Sequence, residues 1–282
     1  MSESSRNGTT KTLIAFDFDW TLVDEDTDRY VYATLSPPTL EKLLSLHKTV
    51  QWTDLNNQLH QELYELGIPA LHVMNTWRNI PFNPATAEAL RLAHAQGAEI
   101  IILSDANTIS IEAILRHHDL RHLFSKIITN PAHYDDIGCL RVKRLIPADG
   151  PQHGCPNGCA VNICKGQQLL DHIAQNGPYS KIIYAGDGRN DLCPSTKLRR
   201  TDYVLPRTGH ALAKILSASP SAKLPNEELT MKSQTETNTD SDADADPVRR
   251  VPEDTKNAVV ANLKFWETGN DLLAVLKSLL QP

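Results

Sequence analysis

The stretch Thr12-Leu-Ile-Ala-Phe16 runs directly into Asp17-Phe-Asp19-Trp-Thr21. An apolar run this short, closed by a carboxylate, has the pattern of a strand buried on both faces. Open α/β sheets gather their ligands beyond the carboxyl ends of the strands, so the two acids stand where chemistry is expected. Side chains two positions apart share a face while a strand continues, but direct convergence on one ligand needs the chain to turn after Phe16. Asp-x-Asp also opens ordinary turns, and this segment alone leaves both readings open.

Working outward, Glu99-Ile-Ile-Ile-Leu103, Lys126-Ile-Ile-Thr129, Lys181-Ile-Ile-Tyr-Ala185 and Asp202-Tyr-Val-Leu205 share the character of the first run. Amphipathic stretches separate them. Pro84 to Gly97 sets Ala87, Leu90 and Ala93 or His94 on one face and ends at a glycine suited to a helix C-terminus. Ser110 to His117 and Lys165 to Asn176 also read as helices. Alternating strands and helices predict an α/β fold, a Rossmann-like parallel sheet with helices on both faces. Its core would comprise residues 12–23, 82–218 and 257–282. Residues 24–81 break the rhythm. They contain no good strand and carry helical patterns such as Thr53 to Leu66, closed by Gly67, which predicts a small helical insertion after the first strand. Residues 139–164, rich in Cys, Gly, Pro and His without periodicity, read as a loop or irregular hairpin.

The 282 residues carry 28 Lys+Arg against 34 Asp+Glu, a net of −6, which leaves no basic footprint for nucleic acid. No apolar run approaches the roughly 18 residues that span a bilayer. The polar start, Met1 to Lys11, lacks the apolar segment of a secretory signal. Five cysteines, an odd number in a long chain, do not suggest a disulfide framework. The expected location is cytoplasmic, with the nucleus also open, and neither nucleic acid nor membrane is an expected partner. Much of the acidity is local: residues 219–256 hold nine acids and five bases, −4 of the −6. Within them Thr230 to Pro247 is almost wholly polar or acidic, so 219–256 reads as a disordered loop and 1–11 as a disordered terminus. From Ala258 to Leu280 a helical apolar face resumes and returns the chain to the folded body.

Three further segments invite chemistry. Ser104-Asp-Ala-Asn107 follows the Ile-rich strand, where a hydroxyl and backbone amides ahead of a helix form an anion cradle; the same residues serve equally as a helix cap. Lys165 opens a helix in Cys164-Lys-Gly-Gln, usually a solvated position. Tyr184-Ala-Gly186-Asp187-Gly188-Arg-Asn-Asp191 follows another strand. Its glycines permit close backbone approach, and Asp187 and Asp191 share a face if a helix starts there; a capped loop is the alternative.

In that order and spacing, the four segments resemble the haloacid dehalogenase (HAD) superfamily of phosphatases, over about residues 12–215 and the final helix. Finer detail in Asp17 to Asp28, Ser104-Asp-Ala-Asn-Thr108, Thr129-Asn-Pro131, Cys164-Lys165 and Gly186 to Pro194 is similar to the phosphoethanolamine/phosphocholine phosphatase and pyridoxal phosphate phosphatase family. Members of that family carry a small helical cap at the place of residues 24–81, and Gln51-Trp-Thr-Asp-Leu55 resembles one of its cap motifs. The resemblance implies Mg²⁺-dependent hydrolysis of small phosphomonoesters through an aspartyl-phosphate on Asp17, with Asp19 as general acid and then base. Mg²⁺ would be held by the Asp17 carboxylate, the Asp19 backbone carbonyl and Asp187, with Asp191 orienting the site. Ser104 and Lys165 would hold the phosphoryl oxygens, with Asn107 and Thr21 contributing.

For the substrate, Asp28 matches a position that is acidic in the phosphoethanolamine/phosphocholine enzymes. With Asp105, and Trp52 or Tyr30, it suits a cationic head group; Asp28 as a helix cap is the competing reading. Pyridoxal 5′-phosphate, which would use aromatic stacking, and other small phosphometabolites stay open. A non-catalytic scaffold binding partners through its acidic loop is the contrasting class, against which the intact set Asp17, Asp19, Lys165 and Asp187 speaks. His153, Cys155, Cys159 and Cys164 read either as a zinc site or, preferentially, as cysteines that pack. The three residues between Cys155 and Cys159 depart from the family's C-x-x-C.

Overall fold

A computed structural model describes residues 11–217 and 253–281. Most of the expected disordered segments, 1–11 and 219–256, lies outside the described residues. At the second segment's end, however, Glu253–Ala258 forms a short 3₁₀ helix, so helical structure begins inside the stretch expected to be unstructured.

Strand β1 (Thr12–Phe16) leads into four helices, α1 (Thr27–Leu35), α2 (Pro37–Leu46), α3 (Trp52–Glu65) and α4 (Ala70–Arg78). Then come α5 (Pro84–Ala95), β2 (Glu99–Asn107), α6 (Thr108–His117), β3 (Lys126–Asn130) and a hairpin of β4 (Ala132–Tyr134) and β5 (Leu140–Val142). The chain continues through α7 (Lys165–Asn176), β6 (Lys181–Gly186), α8 (Leu192–Ser195), β7 (Tyr203–Pro206), α9 (Ala211–Ser217), β8 (Asn262–Leu263) and α10 (Gly269–Leu280). Six strands make one sheet in the order β3-β2-β1-β6-β7-β8, with every neighbouring pair parallel.

The apolar runs show why. Alternate residues of each strand enter opposite layers. Ile14, Phe16, Ile100, Ile102, Ile183 and Ala185 pack with Leu90 of α5, Ile114 of α6 and Leu276 of α10. Leu13, Ala15, Ile101, Leu103, Ile182 and Tyr184 pack with Leu169 of α7 and Leu212 of α9. Both faces are covered, as strands with continuous apolar runs require. Helix α5 starts where Asn83 Oδ1 accepts the Ala85 N–H at 2.9 Å with Pro84 behind it, and it stops before Gly97 in the left-handed region.

Two expectations change. The helical face expected from Ala258 begins only at Gly269. Ahead of it, β8 adds to the edge of β7, with Asn262 N–H donating to Asp202 O and Lys264 N–H to Val204 O. An open sheet edge carries unpaired backbone groups, and their satisfaction outweighs helical periodicity over so few residues. The 139–164 stretch joins regular structure at its start: β5 pairs with β4. Its Val142 N–H donates to Asn57 Oδ1 of α3 at 2.9 Å, and Arg144 Nε donates to Asp54 Oδ1 at 2.8 Å, so the hairpin fastens the inserted helices to the core. No helix among the described residues is long and apolar enough to cross a membrane.

Candidate active site

The strand order turns back at β1, whose neighbours β2 and β6 lead to opposite halves of the sheet, and such a switch point opens a crevice beyond the strand ends. Asp17 is still tied to the sheet, its N–H donating to Ala185 O at 2.9 Å. The chain then coils tightly, with the N–H groups of Thr21, Leu22 and Val23 all directed to the Phe18 carbonyl. Trp20 takes a φ of 54°, a left-handed conformation that costs a non-glycine residue about 1–2 kcal/mol. Arg207 braces it, donating from Nη1 to Trp20 O and from Nη2 to Asp24 Oδ1, each at 2.6 Å. Asp17 and Asp19 consequently line one cleft of about 410 Å³.

Buried beneath Asp17, Lys165 Nζ lies 2.8 Å from Asp17 Oδ2 and 2.9 Å from Asp191 Oδ1. Asp191 is fully used: Oδ1 also accepts from Tyr184 OH at 2.6 Å, and Oδ2 accepts the N–H groups of Asp187 and Gly188 at 3.0 and 2.9 Å. Gly186 makes this possible, because a Cβ there would stand 2.4 Å from Asp191 Cγ. Asp187 faces His210 Nδ1 at 3.1 Å and Thr21 Oγ1 at 3.5 Å. Burial disfavours the Lys165 ammonium, but Asp17, Asp191 and Asp105 outweigh it and hold its pKa well above the ordinary value. Burial and the neighbouring Asp191 push Asp17 well above the carboxylate range despite Lys165. Asp187 is raised by burial and Asp191, against the hydrogen bond from His210. These opposite-seeming shifts have one cause: three buried carboxylates share one ammonium.

That excess charge is the test for a cation. Carboxylate oxygens of Asp17, Asp187 and Asp191 lie within 4.8 Å of one another, and an all-oxygen acidic set suits a hard divalent ion such as Mg²⁺. With both Asp191 oxygens engaged by Lys165, Tyr184 and backbone N–H groups, Asp17 and Asp187 are the better direct ligands and Asp191 their support.

Asp19 hangs on the start of the inserted helices: Thr27 N–H and Thr27 Oγ1 donate to Oδ1 and Oδ2, each at 3.2 Å. Burial and the nearby Asp26 and Asp28 raise its pKa well above the ordinary value. Asp105 lines the cleft and accepts from Asn190 Nδ2 at 3.1 Å. The remaining candidates sit behind the wall. Ser104 is fully buried at an irregularity of β2, its Oγ accepting the Ala106 N–H at 3.1 Å. Asn107 caps α6, its Oδ1 accepting the N–H groups of Ile109 and Ser110 at 3.0 Å, which leaves only its amide nitrogen for another role. Thr21 reaches Asp187 rather than the cleft. Asp28 is buried beneath Trp52, accepting its Nε1–H at 2.9 Å; Trp52, Trp20, Asp26 and Asp105 form the wall itself. Helix α1 is capped by Asp26, whose carboxylate accepts the Arg29 N–H at 2.8 Å, and not by Asp28. Tyr30 is turned to the insertion, its OH donating to Asn79 O at 3.1 Å.

His210, Arg207, Asn190, Trp20 and Asp26 were not among the sequence candidates. Arg207 and His210 follow the end of β7, and the strand-end rule that pointed to Asp17 and Asp187 applies to them too. Asn190 lies inside a segment already singled out.

The family model described as Putative Phosphatase matches residues 12–241. An Arabidopsis thaliana "Thiamine phosphate phosphatase-like protein" is 38% identical over 74% of this chain and 86% of its own length. "Inorganic pyrophosphatase 2" of the same plant is 36% identical over 74% and 75%. The Bos taurus "Pyridoxal phosphate phosphatase PHOSPHO2" is 31% identical over 73% and 86%. Among solved structures, a HAD family hydrolase from Salmonella enterica serovar Typhi superposes with a TM-score of 0.51 at 18% identity, covering 72% of this chain and 64% of that one, a likeness of fold. The match over most of the described core, on a sheet whose strand ends bring Asp17, Asp187 and Asp191 to Lys165, places the chain in this Putative Phosphatase family of phosphoric monoester hydrolases, on a fold like that of the HAD hydrolase.

Proposed function

We propose that the protein hydrolyses small phosphomonoesters in a Mg²⁺-dependent reaction, with Asp17 as nucleophile and Asp19 as proton carrier. The observation that carries this reading is the buried Asp17–Lys165–Asp191 ion-pair chain with Asp187 beside it. Bound between Asp17 and Asp187, Mg²⁺ would neutralise phosphoryl charge. Lys165 holds the Asp17 carboxylate in place and offsets the charge of an incoming phosphate. A carboxylate oxygen of Asp17 attacks phosphorus, the bond to the leaving oxygen breaks, and Asp19 gives that oxygen its proton. The raised pKa of Asp19 keeps the proton available. Water then attacks the aspartyl-phosphate, Asp19 takes its proton, and inorganic phosphate leaves Asp17 restored. Because Asp19 is hung from Thr27, the inserted helices act on this reading as a cap that sets the acid's position.

Asp17, Asp19, Asp26, Asp105 and Asp187 line the cleft against Lys48 and Arg189, an excess of negative charge beside the rings of Trp20 and Trp52. That combination favours a cationic leaving group, of which phosphoethanolamine and phosphocholine are the sequence-based choice. The carboxylates that would meet it are Asp26 and Asp105 rather than the covered Asp28. The two tryptophans also support a second reading, a flat ring such as that of pyridoxal 5′-phosphate. The relatives are named for different phosphates: thiamine phosphate, inorganic pyrophosphate and pyridoxal phosphate. The test is a panel of these phosphates with and without Mg²⁺. Asp17→Asn is expected to remain folded and lose at least about a thousandfold in kcat/KM. Full turnover in that variant, or turnover indifferent to Mg²⁺ and chelator, overturns the mechanism; a preference for pyrophosphate over cationic esters overturns the substrate class.

A further inference from the structure

A second group of metal-ligating side chains lies beside the carboxylate cluster and is not used by it. The Sγ atoms of Cys155, Cys159, Cys164 and Cys193 all fall within 4.8 Å of one another. Individual separations are 3.6 Å for Cys155–Cys193, 3.7 Å for Cys155–Cys159 and 3.8 Å for Cys164–Cys193. Zinc held by four thiolates at about 2.3 Å in a tetrahedron has sulfur–sulfur edges of about 3.8 Å. A disulfide would bring one pair to about 2.05 Å, and all five cysteines are free. Cysteines that only fill space pack among aliphatic side chains, whereas these four form a cluster of their own.

We propose that Cys155, Cys159, Cys164 and Cys193 bind one Zn²⁺ as a closed structural site. On binding, the four thiols release four protons to solvent and four Zn–S bonds form; nothing is oxidised or reduced. The sequence groups the first three with His153, and the structure replaces His153 by Cys193. Both nitrogens of His153 are engaged by backbone: Nδ1 accepts the Cys155 N–H at 3.0 Å and Nε2 donates to Ala160 O at 2.9 Å. Zinc thiolate centres carry excess negative charge and gain from N–H donors around the sulfurs. Gln167 N–H donates to Cys164 Sγ at 3.3 Å and Asn157 Nδ2 to Cys193 Sγ at 3.4 Å. Cys159, Cys164 and Cys193 are buried while Cys155 is partly exposed, which provides an entry path.

The placement gives the ion a task. Cys164 precedes Lys165 and caps α7, its Sγ being the acceptor for Gln167 N–H. Cys193 lies two residues after Asp191. The approach is close enough that a Cβ on Gly166 would stand 2.6 Å from Cys193 Sγ. Between Cys159 and Cys164, Asn162 lines the cleft and accepts from Gln51 Nε2 of the inserted helices at 3.1 Å. One zinc would therefore pin a cleft wall to the two elements that carry Lys165 and Asp191. The inference does not depend on the phosphatase mechanism, because its readout is metal content.

The test uses the full chain, purified without added zinc and freed of Mg²⁺. Elemental analysis is expected to find about one zinc per chain. An organomercurial should release it in step with the titration of four thiols, and expression with Co²⁺ should yield the visible absorption of tetrahedral thiolate-bound cobalt. Cys155→Ser, at the most exposed ligand, should lower zinc retention at least about tenfold with its circular dichroism preserved, and Cys139→Ser should retain zinc. If Cys155→Ser fails to fold, the wild-type metal content and cobalt spectrum decide the matter alone. Fewer than about one zinc per ten folded chains, a mass lower by two hydrogens that marks a disulfide, stoichiometric iron in place of zinc, or full zinc retention in folded Cys155→Ser each overturns the assignment.

Discussion

Replacing Lys165 by Met keeps most of the side-chain volume and removes the one ammonium that stands between Asp17 and Asp191, at 2.8 and 2.9 Å. Both carboxylates and the lysine are almost completely buried. Removing one partner of a buried pair typically costs about 3–5 kcal/mol, because the other charge is left uncompensated. In a domain of this size that is a fall of about 10 °C in Tm. The loss should depend on pH in a defined direction. Asp17 already has a raised pKa in the folded chain, and loss of Lys165 removes the main influence lowering it. A carboxyl whose folded pKa lies above its unfolded value contributes stability at acid pH, and that contribution disappears as pH rises through the folded value. At about pH 5 the raised Asp17 carboxyl can keep its proton, and the cost should shrink to about 1–2 kcal/mol for the lost hydrogen bonds. At about pH 8 the full penalty returns, and Mg²⁺ should recover part of it by mass action. Thermal melts followed by circular dichroism, in chelator and in Mg²⁺ at both pH values, measure this. In parallel, kcat/KM should fall about 10²–10³-fold. Equal destabilisation at the two pH values, or none at either, refutes the view that three carboxylates depend on one cation; retained activity refutes the role of Lys165.

In the wild-type chain the same logic applies more gently. Burial and like charges hold Asp17, Asp19 and Asp28 above their ordinary values, so in chelator Tm should rise as pH falls from neutral toward those raised values, and Mg²⁺ should flatten the trend; a chelator-treated protein whose Tm falls over that range contradicts it. Asp19→Asn should lower kcat about 10²–10⁴-fold for alkyl phosphates, whose leaving oxygen needs a proton, and less for p-nitrophenyl phosphate, whose phenolate does not; equal losses on both argue against the general acid. Asn107→Ala should cost about 1 kcal/mol of stability through the α6 cap with kcat within a few-fold of wild type. An unchanged Tm with a large kcat loss would return Asn107 to the phosphate.

The segments that were legible are those for which local sequence and long-range packing ask for the same thing. Thr12–Phe16, Glu99–Leu103 and Lys181–Ala185 are apolar on both faces because both faces are covered, and the parallel sheet then delivers Asp17, Asp105 and Asp187 to one edge although 170 residues separate the first from the last. No further folding information is needed to bring them together. What local sequence leaves open is how each polar group is satisfied once it arrives. Asn107 and Asp28 have the right residue types for a site. One spends its Oδ1 on two helical N–H groups, and the other lies under an indole whose N–H it accepts. Those assignments depend on where Ile109 and Trp52 fall in space. His210 and Arg207 are illegible for the converse reason: a single His and Arg after a short strand carry no pattern, and their value comes from Asp187 and from the carbonyl of the left-handed Trp20. Asp191 shows the limit most clearly. Its spacing from Asp187 sets the two on one face if a helix starts there, and the family resemblance makes it a supporting group, but neither names its partners: the chain curls so that Asp187 N–H, Gly188 N–H, Tyr184 OH and Lys165 all converge on it. A carboxylate accepting so many hydrogen bonds is already neutralised in place. Asp191 therefore serves the site by holding Lys165 against Asp17, and the charge left for an incoming cation belongs to Asp17 and Asp187.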